Sequence, residues 1–462
     1  MNNVLKKPTY VVYDIETTGR SYFFDQILQI SAVLYDESFI QVNEIDIRSK
    51  LSKGIIPHIK ALETNKLTLV QLTQSNMSSY QVMCEVADTF KKWGPAMFIG
   101  HNSISFDENF LRLGLYKNLH NPYPTNTNGS QRGDSLLLAR ACSVFEPEAI
   151  NIPTNEKGQS VFSLGSLAIA NNIELINAHD ALADVKATAS LLSIIKKNAP
   201  ELWGFFLLST SKAGAQQFMQ SHSYFCYAPT PNQAAVLRYC CMNSDPKKSE
   251  SYHFNLKYDP KVVVDLDIGD LEKIVSKNII IKKIKTNSAP ILVDKTYAQK
   301  ILNNAIDERT LIERSNIIFE NKDFLERLSK AITNLNTVYP PGKYVEQQIY
   351  DGGFPSRHDE ALMNYFHHAP LEEKFNLCLD FQNAKFKKLG LRILYYEYPN
   401  LLPKEIIEEI DNEIIERLNS LEKEPYLTVD NAINTFENEK EENPNLKPEL
   451  ILDYEKILES YV

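Results

Sequence analysis

Residues 8–200 alternate short apolar runs with stretches of helical length, and that alternation restricts the fold more than any other feature of the chain. Residues 9–15 and 26–35 are β-branched and aromatic, as strands require, and Glu16-Thr17-Thr18-Gly19 between them carries turn chemistry. Residues 69–93 have helical spacing, 97–100 form a short buried strand, and 106–119 are a helix with Asp107 in its first turn. Two further helices are expected over 135–145 and 181–197, the second ended by Asn198-Ala199-Pro200. Strands covered by helices in this order predict a mixed α/β sheet.

Beyond Pro200 the texture changes. Residues 221–300 are rich in Tyr, Val and Ile, with frequent Pro, Asn and Asp; the runs at 262–264 and 279–281 read as strands of a small β-rich domain. From about 298 the pattern is helical, apart from a break at Pro340-Pro341-Gly342. These shifts divide the chain into 1–200, 201–343 and 344–462, a length that suits two to four domains. There is no internal repeat. Residues 401–462 hold 17 acids and 6 bases, and read as a solvated outer helix layer. The remaining four hundred residues carry 42 acids against 43 bases, so the net charge of −10 does not exclude a basic groove for nucleic acid.

Six dispersed cysteines without a C-x-x-C pair imply reduced thiols, with neither a disulfide framework nor a structural zinc site. No run approaches the ~18 apolar residues of a membrane span, and the first residues do not read as a secretory signal. A cytoplasmic protein without membrane association is expected.

Three elements carry chemistry. In Tyr13-Asp14-Ile15-Glu16-Thr17-Thr18-Gly19, alternation along a strand puts Asp14 and Glu16 on one side. Two such carboxylates repel unless a hard cation such as Mg²⁺ lies between them; taken alone, they are equally two solvated acids at a strand end. Asp107, after the loop Gly100-His101-Asn102-Ser103-Ile104-Ser105-Phe106, is by itself an acid suited to the helix dipole. In Asn177-Ala178-His179-Asp180-Ala181-Leu182-Ala183-Asp184, His179 and Asp184 would splay about 140° apart on a continuous helix. Asp180 as N-cap resolves this, leaving His179 in the loop and Asp184 near the first turn. Together the elements supply four carboxylates and a histidine in the order Asp-x-Glu, Asp, His-x4-Asp, enough for two-metal hydrolysis of a phosphodiester. Asp14 can bridge both metals, Glu16 and Asp184 complete one site, and Asp107 supports the other. His179, with a reference pKa near ~6.5, is the candidate general base.

This pattern resembles the DEDDh group of 3′→5′ exonucleases, and the likeness extends beyond one domain. Phe106-Asp107-Glu108 with Arg112 and Asn121-Pro122-Tyr123, Asp134 through Arg140-Ala141-Cys142, Ile349-Tyr350-Asp351-Gly352-Gly353-Phe354 and Tyr395-Tyr396-Glu397-Tyr398-Pro399 are similar to the bacterial exodeoxyribonuclease I family. The likeness is strong in 10–212 and 345–400 and weak in 213–340. It implies an RNase H-like nuclease domain with a mixed sheet, an SH3-like β-rich domain and an α-helical C-terminal domain, wrapped around single-stranded DNA. It further implies processive 3′→5′ degradation to 5′-mononucleotides in DNA repair, by a monomer using two Mg²⁺ ions for which Mn²⁺ can substitute. By the same resemblance Glu16, Arg112, Tyr123, Arg140 and Lys212 contact the strand, with Asn287, Gln348 and Tyr350 as outer contacts. Arginine and lysine neutralise phosphates, and tyrosine offers a stacking face indifferent to base identity. Where the family has a substrate-contacting arginine, this chain has Ser163, which keeps a hydrogen-bond donor but no charge. The family also binds the acidic C-terminal tail of single-strand DNA-binding protein, at residues that cannot be assigned in this sequence. The rival readings are a DEDDh enzyme acting on RNA or trimming polymerase errors, and an inactive scaffold that only binds single strands. Domains beyond the two hundred residues a trimmer needs, and five intact positions, weigh against them.

Overall fold

The computed structural model describes residues 9–175, 180–230, 233–245, 248–299, 306–337 and 340–461. Its first sheet contains β1 (Tyr10–Thr17), β2 (Ile27–Tyr35), β3 (Gln41–Arg48), β4 (Met97–Gly100) and β5 (Gln131–Asp134), in the order β3-β2-β1-β4-β5. β1, β2 and β3 are antiparallel neighbours, whereas β4 and β5 run parallel to β1. The expected mixed sheet is therefore present.

Strand alternation sorts the β1 side chains onto two covers. Val11, Tyr13 and Ile15 join the core beneath helices Ser79–Trp93 and Asp107–Lys117; Tyr10 and Val12 join the core beneath Ser135–Phe145 and Ala181–Asn198. Three of the differences between expected and observed elements bear on this sheet and its cover. Residues 69–93 form two helices, Leu69–Thr73 and Ser79–Trp93, because Thr68 and Ser78 each build a capping box that starts a new helix. β3 was not anticipated: its sequence is polar and largely exposed, as an edge strand permits. β5 has only four residues, one of them Gly133, where a Cβ would lie 2.4 Å from Phe206 Cζ.

The second sheet comprises β6 (Phe225–Thr230), β7 (Gln233–Met242), β8 (Glu250–Asn255), β9 (Ile281–Lys285) and β10 (Leu292–Asp294). It is antiparallel, ordered β10-β6-β7-β8-β9. The expectation of a strand at 262–264 is wrong. Pro260 fixes the backbone and Asp259 accepts the Lys261 amide, so Pro260–Val262 is a 3-10 turn whose neighbours Val263 and Val264 are buried without pairing. Of the run at 279–281 only Ile281 is in a strand. Helices Glu308–Glu320 and Lys322–Asn334 fit the helical pattern expected from about 298.

After the 3-10 segment Val345–Tyr350 come six helices, from Arg357–Phe366 to Pro448–Glu459. The acidic tail is more than an outer layer. Ala432, Phe436, Tyr454 and Ile457 form one core with Leu28 of β2 and Ile59 and Leu62 beside it, and the Tyr454 hydroxyl donates to the Pro57 carbonyl. Many of its acids are exposed, but Glu439 is buried and pairs with Lys60 at 2.8 Å. All six cysteines are free thiols, and among the described residues no helix is long and apolar enough to cross a membrane.

Candidate active site

β1 delivers Asp14 and Glu16 to the face on which helix Ala181–Asn198 packs, in register with Ser31 and Gln29 of β2. The helix begins as the sequence predicts: the Asp180 side chain accepts the Ala183 amide at 3.3 Å, and Asp184 lies in the first turn. The small residues Ala181 and Ala183 let that turn approach the sheet. One carboxylate oxygen from each of Asp14, Glu16 and Asp184 lies within 4.8 Å of the others. Asp107 opens its helix nearby, completely enclosed; among the described residues its Oδ1 has no hydrogen-bond partner. His179 lies outside the described residues.

Glu16 is buried and Asp14 and Asp184 are half-buried; acids this close repel, and desolvation penalises their ionised forms further. Asp14 is pushed up to about 8, by burial first and then by Asp184 and Asp180. Glu16 rises to about 9, again by burial first and then by Asp14, Asp184, Asp107 and Asp180. Asp107 is held well above the carboxylate range by burial and by Asp14, although the Ile15 backbone bonds it. Such a set is oxygen-only and crowded with carboxyl groups that resist ionising together, which suits a hard divalent cation. The residues fit the metal.

Several residues to which the sequence reading gives no role support the site. Asp134 accepts the Asn102, Ile104 and Leu136 amides at 3.0, 3.1 and 2.9 Å, fixing the loop that leads to Asp107. Glu108 is buried and accepts from the Tyr13 hydroxyl (2.8 Å), Thr125 (3.0 Å) and Arg132 (2.9 Å). It thereby ties the first turn of helix Asp107–Lys117 to β1 and β5. His101 is held by Ser135 and the Phe162 carbonyl, and burial lowers its pKa to about 4. Only Asp134 carried a local signal, an acid immediately before a helix; the other pairings join residues distant in the chain.

Of the expected DNA contacts, the fold brings Arg112, Tyr123 and Tyr350 together. Arg112 donates to the Tyr350 hydroxyl at 3.1 Å and lies 5.4 Å over the Tyr123 ring. Asn287 reaches the same region, since its carbonyl accepts from Arg132 at 2.7 Å. Arg140 is close enough to His101 to disfavour its protonation, and its buried Nε has no partner among the described residues. The Gln348 side chain is committed to the Gly342 carbonyl at 2.9 Å. Ser163 is the exposed N-cap of helix Leu164–Ala170, bonded to Ser166. Lys212 is exposed at the start of helix Lys212–Ser221.

With this geometry in view, the comparisons with known proteins are consistent from end to end. The model of the exonuclease family matches residues 11–192, and that of the exonuclease I C-terminal domain matches 343–457. Exodeoxyribonuclease I of Buchnera aphidicola subsp. Schizaphis graminum is 26% identical, across 91% of this chain and 90% of its own. Escherichia coli exonuclease I in complex with a dT13 oligonucleotide superimposes with a TM-score of 0.85 at 19% identity, covering 99% of this chain and 100% of that one. A structure of SSB/Exonuclease I in complex with an inhibitor gives 0.82 at 19%, with the same coverage. Two characteristic modules in one order, full-length relatives and an α/β RNase H-like fold shared over the whole chain lead to one assignment: the chain belongs to the exonuclease I family.

Proposed function

We propose that this protein degrades single-stranded DNA processively from its 3′ end, hydrolysing each phosphodiester to release a 5′-mononucleotide, in DNA repair. The observation that carries this reading is the convergence of Asp14, Glu16 and Asp184 within 4.8 Å, beside buried Asp107. Those four carboxylates would hold two Mg²⁺ ions, which when bound neutralise charge on the reacting phosphate and acidify a water, with Mn²⁺ able to substitute.

The chain's own groups supply the rest. His179, one residue before the cap of the Asp184 helix, takes the proton of the attacking water. Arg112 offers charge to a phosphate, and Tyr123 and Tyr350 beside it offer faces on which unstacked bases rest. Arg140 and Lys212 add cations along the strand path. Asn287 and Gln348 contribute outer contacts, and Glu16 contacts the terminal nucleotide. Ser163 offers a neutral hydrogen bond there. Residues 1–200 form the nuclease domain, 201–343 the SH3-like domain and 344–462 the helical domain of a cytoplasmic monomer. Its protein partner is the acidic tail of single-strand DNA-binding protein.

The test is digestion of 5′-labelled single-stranded DNA, duplex DNA and RNA with Mg²⁺, alongside a 3′-blocked strand. A ladder shortening from the 3′ end on single-stranded DNA alone is expected. Preferential RNA digestion would support the RNA-directed rival, and binding without cleavage the inactive scaffold.

A further inference from the structure

Asp180 adds a fifth carboxyl group to this crowded region, close enough to disfavour ionisation of both Asp14 and Glu16. It does not belong to the triplet of converging ligand oxygens, and both its own oxygens are engaged. One accepts the Ala183 amide, starting the helix; the other accepts Arg48 Nη2 at 2.9 Å. Arg48 is the last residue of edge strand β3, and its carbonyl accepts the Ser75 hydroxyl.

The sheet register explains how Arg48 comes to be there. Glu16 pairs with Gln29 and Gln29 with Arg48; Asp14 pairs with Ser31 and Ser31 with Asp46. Residues directly opposite in a ladder project from the same face, so Arg48 shares a rung with Glu16. The adjoining rung is rigid, since Gln29 and Ser31 both donate to Asp46 Oδ1 at 2.7 Å. The guanidinium therefore reaches from edge strand β3, which shares its rungs through β2 with the two acids of β1, to the cap of the helix that carries the third.

We propose that Arg48 is a positioning residue: through Asp180 it fixes the start of helix Ala181–Asn198 over the sheet, and with it the separation of Asp184 from Asp14 and Glu16. This inference rests on the nuclease reading above. A second ion pair joins β3 to the same helix further along, Lys186 to Glu44 at 3.3 Å, and provides an internal control.

The experiment compares Arg48→Ala, Arg48→Lys and Lys186→Ala in the full chain. Its readouts are kcat and KM on a single-stranded oligonucleotide, Mn²⁺ binding by electron paramagnetic resonance, and amide exchange over 181–184. Loss of a residue that orients ligands typically costs about 10–100-fold in activity or metal affinity. Arg48→Ala should lower kcat and weaken Mn²⁺ binding by that factor, leave KM within twofold, and speed exchange at the helix start. Arg48→Lys should recover part of both losses, and Lys186→Ala should change neither. Unchanged Mn²⁺ affinity and exchange in Arg48→Ala would overturn the proposal. So would a raised KM with a shallower salt dependence and normal kcat, which would make Arg48 a phosphate contact. Failure of the wild type to cleave would instead refute the nuclease reading, and the metal-binding and exchange arms would still judge Arg48. Should Arg48→Ala not fold, Arg48→Lys carries the same comparison.

Discussion

The strongest physical consequence of the acid cluster appears when cations are withheld. Asp14 moves from an ordinary 3.8 to about 8 and Glu16 from 4.5 to about 9, so between those limits the folded state binds more protons than the unfolded chain. Stability contributed by this cluster is therefore full at low pH and is lost as pH rises toward 8 or 9. A pair of carboxylates about 4.8 Å apart repels by about 3–4 kcal/mol at an effective dielectric of ~20. If the roughly two hundred residues around this cluster unfold as a unit, at roughly 2–4 °C per kcal/mol, chelated enzyme should lose on the order of 10 °C in Tm between pH 5 and 9 from such a term. Saturating Mg²⁺ should remove most of that slope. Asp14→Asn deletes one member of two repelling pairs, so it should flatten the slope in chelator and abolish the Mg²⁺ response. It should also abolish cleavage while leaving DNA binding largely intact. Scanning calorimetry of both proteins from pH 5 to 9, with chelator and with Mg²⁺, reads all of this. A wild-type Tm independent of pH and of Mg²⁺ would refute the reasoning, and normal turnover by Asp14→Asn would remove Asp14 from the metal site.

Three further outcomes are expected. Replacing His179 with Ala should slow turnover roughly 10²–10⁴-fold at neutral pH with saturating Mg²⁺; a change under threefold would assign the proton to another group. Replacing Lys212 with Ala should weaken strand binding and lower the slope of log affinity against log salt by about one, whereas an unaltered slope would put it off the strand path. Gly133→Ala would drive a methyl to 2.4 Å from the Phe206 ring, so urea unfolding should report a loss of roughly 1–3 kcal/mol; wild-type stability would mean that the helix carrying Phe206 yields freely.

Much of the candidate site is legible in the sequence alone. Period-two alternation alone puts Asp14 and Glu16 on one side of β1, and capping chemistry alone starts a helix at Asp180 with Asp184 in its first turn. These are local consequences of backbone geometry, as are the helix Ser135–Phe145 and the strand Met97–Gly100. The errors were local rules overruled by their neighbours. Three consecutive valines read as a strand, yet Pro260 and its capping acid put Val262 at the end of a 3-10 turn and leave Val263 and Val264 buried beyond it.

What no local rule could supply is the pairing of residues far apart in the chain. The triplet itself depends on the packing of helix Ala181–Asn198 against β1 and β2. Glu108 depends on Tyr13 and Arg132, Arg112 on Tyr350, and the cap at Asp180 on an arginine at the end of a strand too polar to be anticipated. The sequence by itself determined which acids face one another's side of the chain and where their helices begin, because φ/ψ preferences and capping act over a few residues. Only the tertiary structure decided how near those acids stand and how far burial shifts their protonation, because distance and desolvation are properties of packed elements.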